Sequence, residues 1–310
     1  MIITVTLNPA MDKTITVNNF SCGIVNRVSS IRHDIGGKGI NVSKVLNNFE
    51  TNSICTGFLG GMWDKHFISE LNKRDIKMDF VRIKGDIRTN VKVVDTINNV
   101  YTDINEPGPL ISQAELNTFL NKFKSICNSK DIVVLSGGTG PGIEKDIYAK
   151  LINIAKENGA FTILDADGEL LKEGIKANPD IIKPNNHELV KLMNLQNDSD
   201  EVLIEAGKSL IKKGIKKVLV SLGDKGALYI TETNVYKAKA LKVPVKSTVG
   251  AGDSMVASLA YSIINNYDDL TTLKYAVASG TVSVSLEGTQ ACSLAEVKSI
   301  LDKIQIEKEK

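Results

Sequence analysis

Gly250-Ala251-Gly252-Asp253 sets three small residues ahead of a carboxylate at the start of an apolar segment. The N–H groups of such a turn can converge at the positive end of the helix that follows. There they would stabilise charge developing on a transferring phosphoryl group. Asp253 beside that point suits the proton of an attacking hydroxyl. The same spacing also fits a plain helix N-cap, a role Asp often fills. Two more glycine clusters, Gly36-Gly37-Lys38-Gly39 and Ser136-Gly137-Gly138-Thr139-Gly140-Pro141-Gly142, stand where strand and helix patterns meet. Glycines there let a backbone approach a ligand and turn its N–H groups toward an anion. Three such loops point to a phosphate-rich ligand.

Asn185 and Glu188 follow Lys183-Pro184. Their oxygens suit Mg²⁺, which keeps several waters and bridges to nucleotide phosphates. The same pair also spells a helix capping box. Asp12, Arg27, Lys38, Asn41, Arg88 and Lys92 are polar or basic residues near the first glycine loop and the β segments. A Lys or Arg among them could hold a substrate phosphate, and Asp12 could accept hydrogen bonds from sugar hydroxyls. Gly207-Lys208-Ser209 resembles the end of a P-loop, but Val202 stands where the first glycine belongs and the segment reads as helix. His187 carries no ligand spacing.

These residues need a scaffold. Ile2 to Thr6 reads as a strand ended by Asn8-Pro9. Val42, Val45, Leu46 and Phe49 mark one face of a helix after the glycines, and Ser53 to Leu59 reads as the next strand. Thr14 to Val17, with a hairpin over Arg88 to Asp103 around Asn98-Asn99, forms a small β appendage. From Ser112 strands and helices alternate: helix Gln113 to Ser125, strand Asp131 to Leu135, helix Lys145 to Glu157, strand Phe161 to Leu164, strand Ile181-Ile182, helix Glu201 to Lys212 and strand Lys217 to Val220. The last third reads as helical over Asp253 to Ile264, Leu273 to Leu286 and Leu294 to Ile304, with a charged, fraying tail from Ile306 to Lys310. The fold class is therefore α/β: a mostly parallel central sheet with helices on both faces, plus a small β-sheet lid.

At 310 residues, with 42% hydrophobic and 24% charged, the chain can bury a large core. Thirty-eight basic against 36 acidic residues leave a net charge of +2, which argues against a nucleic-acid partner. No apolar run reaches the length of a membrane span, and Met1 to Pro9 lacks a basic leader. Cys22, Cys55, Cys127 and Cys292 are scattered, so neither a disulfide framework nor a zinc site is expected. The expectation is a cytoplasmic protein without membrane or nucleic-acid partners. One domain spans residues 1–310, with a β lid from about 12–35 and 87–106.

Taken together, the motifs resemble those of the ribokinase-like PfkB carbohydrate kinases along nearly the whole chain. Gly36-Gly37-Lys38-Gly39-Ile40-Asn41 is similar to the family's first glycine motif, and Thr248-Val249-Gly250-Ala251-Gly252-Asp253-Ser254 to its second. Lys183-Pro184-Asn185 with Glu188 is similar to its metal and phosphate motif. Ser221-Leu222-Gly223-Asp224-Lys225-Gly226 is similar to its nucleotide-binding strand end. Thr6-Leu7-Asn8-Pro9-Ala10-Met11-Asp12, Val25-Asn26-Arg27 and Arg88-Thr89-Asn90-Val91-Lys92 resemble the phosphosugar branch, which holds 1-phosphofructokinases and tagatose-6-phosphate kinases.

The resemblance implies ATP- and Mg²⁺-dependent phosphorylation of a phosphosugar. It gives Asp253 the role of base, with Gly250, Ala251 and Gly252 as the anion hole. Asp12, Arg27, Gly37, Lys38, Asn41, Arg88 and Ser136 would bind the substrate, Asp12 at the sugar hydroxyls and Arg27, Lys38 and Arg88 near its phosphate. Lys183, Asn185, Ser221, Gly223 and Gly226 would line the nucleotide, and Asn185 with Glu188 would organise Mg²⁺. Ser247, where many members carry Asp, favours fructose 1-phosphate, with tagatose 6-phosphate as the alternative. A non-catalytic sugar-phosphate sensor is the reading from another class; it would lack the base, and Asp253 is present. A homodimer through the lid is expected.

Overall fold

The computed structural model describes residues 1–309. In chain order its strands are β1 (Ile2–Thr6), β2 (Ala10–Val17), β3 (Val28–Gly36), β4 (Ser53–Gly60), β5 (Lys77–Ile83), β6 (Arg88–Asp95), β7 (Val100–Asn105), β8 (Ile132–Ser136), β9 (Phe161–Asp165), β10 (Ile181–Ile182), β11 (Lys217–Ser221), β12 (Ala227–Thr231), β13 (Val235–Ala238) and β14 (Ile306–Glu309). The helices are α1 (Lys38–Asn48), α2 (Asp64–Lys73), α3 (Gln113–Ile126), α4 (Ile147–Glu157), α5 (Gly168–Gly174), α6 (Asn186–Met193), α7 (Asp200–Lys212), α8 (Ala251–Ile264), α9 (Asp269–Val284) and α10 (Leu294–Lys298).

Ten strands form one sheet in the order β14-β13-β12-β11-β10-β9-β8-β1-β4-β5. From β11 to β5 every pair is parallel. Successive residues of a strand face opposite sides, and here both sides are apolar. In β8, Val133 and Leu135 enter one core with Phe119, Tyr148, Leu151 and Leu210. Ile132 and Val134 enter the other with Val42, Leu46, Val256 and Ala276. That two-faced burial is what a parallel sheet with helix crossovers requires. It also collects the strands' C-terminal ends along one edge, where ligands bind in open α/β sheets.

A second sheet, β3-β2-β6-β7, stands apart from the first. Its register sorts side chains by chemistry. Asp12 pairs with Asp34 and Asn90, and Thr14 with Arg32 and Lys92, on one face. Ile15 pairs with Ile31 and Val93 on the other. Met11, Ile35, Ile40, Leu59, Phe67 and Ile87 form a small core that roots this sheet on α1, α2 and β4.

The C-terminal third differs from the expectation. The helix expected from Leu294 to Ile304 stops at Lys298 and resumes only as a single 3₁₀ turn, Leu301–Lys303. Ahead of the helical run, two strands that were not expected, β12 and β13, continue the sheet antiparallel. The tail does not fray: residues 306–309 pair with β13, Ile306 packs on the core, and Lys239 bonds Glu307 at 2.6 Å. Lys310 lies outside the described residues. Charged side chains suit an edge strand because they oppose pairing with another chain. Lys208 sits on α7 against Glu205 at 3.0 Å, as expected of a solvated helix residue.

Candidate active site

The helix that begins at Ala251 fixes the strongest candidate. Gly250 is its N-cap, with φ 85°, a left-handed conformation that glycine adopts without a side-chain clash. Asp253 is therefore the third residue of α8 and makes no cap bond, so the N-cap alternative does not hold. It is buried, and its Oδ2 accepts a hydrogen bond from Asn41 Nδ2 at 2.8 Å. Burial pushes its carboxyl up to about 6, against the pull of Lys38. Asn41 comes from α1, 212 residues away in sequence.

The glycines of the first motif permit that approach. A Cβ on Gly39 would lie 2.5 Å from the Val5 carbonyl oxygen, so only glycine lets α1 descend onto β1. Thr6 Oγ1 then accepts from the Ile40 amide at 3.0 Å. Lys38, at the first turn of α1, reaches Asp165 Oδ2 at 3.3 Å. The second loop arrives beside it: a Cβ on Gly137 would lie 3.5 Å from Lys38 Cβ, and Tyr148 Oη holds the loop by donating to the Gly137 carbonyl at 2.8 Å. Gly138 faces open space. Ser136 Oγ, at the C-terminal end of β8, is buried and has no protein partner.

Asp165 ends β9 and was not singled out from the sequence. Its carboxylate lies between Lys38 and Lys183, the latter at 3.2 Å, with both Asp165 and Lys183 buried. Burial pushes its carboxyl up, but the two ammonium groups, Lys183 first, outweigh that and leave it below its ordinary value. Asp165 in turn raises Lys38. Lys183 Nζ would stand 3.3 Å from a Cβ on Gly252, which puts a cation against the turn at the start of α8. The signal for Asp165 was available: an acidic residue directly after an apolar strand of a parallel sheet falls on the ligand-binding edge.

Asn185 and Glu188 do form the capping box. Asn185 Oδ1 accepts from the Glu188 amide, and Glu188 Oε2 from the Asn185 amide, each at 2.8 Å. Glu188 still acts on Lys38 through space. Ser221 bridges to Asn185, and its amide donates to the Pro184 carbonyl. Gly223 and Gly226 bracket the one-turn 3₁₀ segment that follows. Ser221, Gly223 and Gly226 thus adjoin the Asn185 loop.

On the lid side, a cavity of about 220 Å³ lies between the polar face of the second sheet and the loops 249 and 288–289. Asp12 and Asn90 line it, bonded to each other at 3.0 Å, with Arg32 and Lys92 nearby. Burial raises the Asp12 carboxyl despite that bond. Arg88, half-buried, is aimed by two carbonyls, Glu106 at 3.3 Å and Asn8 at 3.2 Å. Asn8, which the sequence reading gave no site role, donates from Nδ2 to the Pro107 carbonyl, closing the loop behind Arg88. Arg27 is not brought to this cluster. It lies exposed between β2 and β3 and forms no ion pair among the described residues. Lys92 is paired with Asp103 at 3.3 Å. Gly37, with φ 126°, caps α1 beside Thr6.

The pattern of the pfkB family carbohydrate kinases matches residues 5–296. The chain belongs to that family. This kinase is 37% identical over 308 residues to a 1-phosphofructokinase of Borreliella burgdorferi, covering 99% of this chain and 98% of the relative. It is 34% identical over 309 residues to a tagatose-6-phosphate kinase of Staphylococcus epidermidis, covering 99% of each. Among solved structures it superposes on phosphofructokinase-2 from Escherichia coli, crystallised with substrates and products, with a TM-score of 0.93 and 28% identity. That match covers 97% of this chain and 98% of the other. The fold is therefore ribokinase-like, and the chain is a sugar kinase, a phosphotransferase with an alcohol acceptor. No described helix is long and apolar enough to cross a membrane.

Proposed function

We propose that this kinase transfers the terminal phosphoryl group of ATP to the free primary hydroxyl of fructose 1-phosphate, giving fructose 1,6-bisphosphate. The observation that carries the chemistry is the buried Asp253 carboxylate, held by Asn41 at the amide-rich start of α8 with Lys183 beside Gly252. The lid side supports an already phosphorylated acceptor: Arg88 is aimed next to the Asp12–Asn90 pair. The likeness to a 1-phosphofructokinase over the whole chain supports the choice of sugar. The similar likeness to a tagatose-6-phosphate kinase supports tagatose 6-phosphate as a second reading.

In this reading Asp12 accepts from sugar hydroxyls and Arg88 meets the sugar phosphate. Lys38 joins Arg88 there, and Ser136 and Gly37 border the sugar. Asp253 takes the hydroxyl proton late, because a loose phosphoryl transition state needs positioning more than a strong base. The amides of Gly250, Ala251 and Gly252, with Lys183, stabilise charge on the transferred group. Ser221, Gly223 and Gly226 border the nucleotide. The residues present fit Mg²⁺: Asn185 and Glu188 are hard oxygen donors, and their capping box engages only Oε2 of Glu188, leaving Oε1 without a bond among the described residues. Bound there through waters, the ion would neutralise nucleotide phosphate charge.

One domain with a β lid fits this work, the lid closing over the sugar to exclude water. The lid's outer face exposes Ile31 and Ile104, each more than half exposed, and a second copy of the chain is its proposed cover. A cytoplasmic site of action accords with a phosphorylated substrate and free cysteines. ADP release measured separately with fructose 1-phosphate, tagatose 6-phosphate, fructose 6-phosphate and ribose tests the reading. Fructose 1-phosphate should give the highest kcat/KM; comparable turnover of ribose would overturn the phosphate-pocket assignment.

A further inference from the structure

Lys44 stands on α1 one turn beyond Asn41 and is only 5% exposed. Among the described residues it forms no ion pair. Its Nζ donates instead to two oxygens, the backbone carbonyl of Ile35 and Oδ1 of Asn41, the latter at 3.3 Å. Asn41 Nδ2 then donates to Asp253. An ammonium has three donors and no acceptor, so it accepts only the oxygen end of the Asn41 amide. With the oxygen held, the amide N–H must face Asp253. Without that anchor the amide could turn its oxygen toward a protonated Asp253 and favour the neutral acid.

The geometry points to Lys44 as a positioning residue: it fixes the Asn41 amide, through it holds Asp253 in the ionised, proton-accepting form, and ties the lid end of β3 to the same ammonium through Ile35. An uncharged side chain of similar length would be far cheaper to bury at this place. Burial, and then Arg74, hold Lys44 down at about 8.

Other charges act here too. Asp12 of β2, Asp34 of β3, Arg74 beyond α2 and Asp253 of α8 act on Lys44. His33, Glu70 and Glu296 line the adjoining cavity of about 260 Å³. Asp253 also feels Lys38, Asp165 and Lys183. Those three act on it through space, whereas Lys44 also reaches it through a hydrogen-bonded amide.

The inference rests on Asp253 being the base. The test is kcat/KM against pH for the wild type, Lys44→Met, Lys44→Arg and Asp253→Asn. Lys44→Met should move the acid limb to higher pH, so that kcat/KM on the acid side falls about three- to tenfold further than on the plateau. Lys44→Arg should keep the wild-type limb. A Lys44→Met profile that merely scales down at every pH, as loss of packing would give, overturns the proposal. If that variant melts below the assay temperature, Lys44→Leu, which likewise lacks a donor for Asn41, must show the same displacement, and an undisplaced limb refutes it equally. Wild-type rates in Asp253→Asn would instead sink the base assignment.

Discussion

The edge of the large sheet and the lid are built on opposite principles. At the sheet edge, charge is buried and paired: Asp165 holds Lys38 and Lys183, Asn41 holds Asp253, and each side chain is fixed by another element. In the lid, charge lies on an open face and pairs across neighbouring strands or along one, as in Arg32 with Asp34 and Lys92 with Asp103. The buried cluster is preorganised for a reaction whose demand is positioning. The lid, rooted by a small core, is built to admit and cover a sugar. Mutations in the two regions should therefore separate, kcat and stability on one side, KM and association on the other.

The largest expected effect is at the base. Asp253→Asn should lower kcat by about a hundred- to ten-thousandfold while leaving nucleotide affinity nearly intact, checked by steady-state kinetics and calorimetric titration. It should also stabilise the fold. The folded carboxyl sits near 6 against an ordinary value of 3.8. Its ionisation thus penalises folding above about pH 6, and the penalty vanishes below about pH 4, where both states are protonated. At neutral pH the gain should be of the order of 1–3 kcal/mol by thermal melting.

Asp165→Asn should act in the opposite sense on stability. It leaves the buried Lys183 ammonium, and the partly exposed Lys38, without their shared partner, a loss of about 2–4 kcal/mol in denaturant unfolding. A melting temperature equal to wild type would show that the pair is hydrated and the contrast with the lid false. Arg88→Ala should raise KM for the phosphosugar about tenfold to a hundredfold with a smaller change in kcat. A fall in kcat with KM unchanged would move Arg88 from the lid's role to the cluster's.

In wild type, kcat/KM should fall about tenfold per pH unit below about 6, as Asp253 takes up its proton, in a pH–rate profile. The smallest effect on chemistry is at the outer lid face. Ile31→Lys should leave the melting temperature nearly unchanged, since Ile31 is half exposed, yet shift sedimentation toward the monomer.

Much of this was legible before any coordinates. The parallel strands declared themselves because both their faces are buried, so Ile2–Thr6 is a fully buried, β-branched run and residues 132–135 are unbroken apolar residues. The antiparallel strands β12 to β14 were not read. β14 is charged, and its strand identity comes from pairing with β13 rather than from its own composition. The lid was found in outline, but β3 was missed because its alternation of Ser, Ile, Arg, His and Asp carries no apolar run.

Composition and spacing by themselves determined the fold class, the glycine turns, and the carboxylate at position 253, because backbone freedom and hydrophobic period are properties of short segments. Which charges meet was decided only by tertiary structure. Asp165 could not be linked to Lys38 and Lys183, nor Asp253 to Asn41 and Lys44, until the parallel crossovers brought the strand ends together along one edge. Electrostatic pairing depends on distance through space, and the fold makes neighbours of residues more than a hundred positions apart.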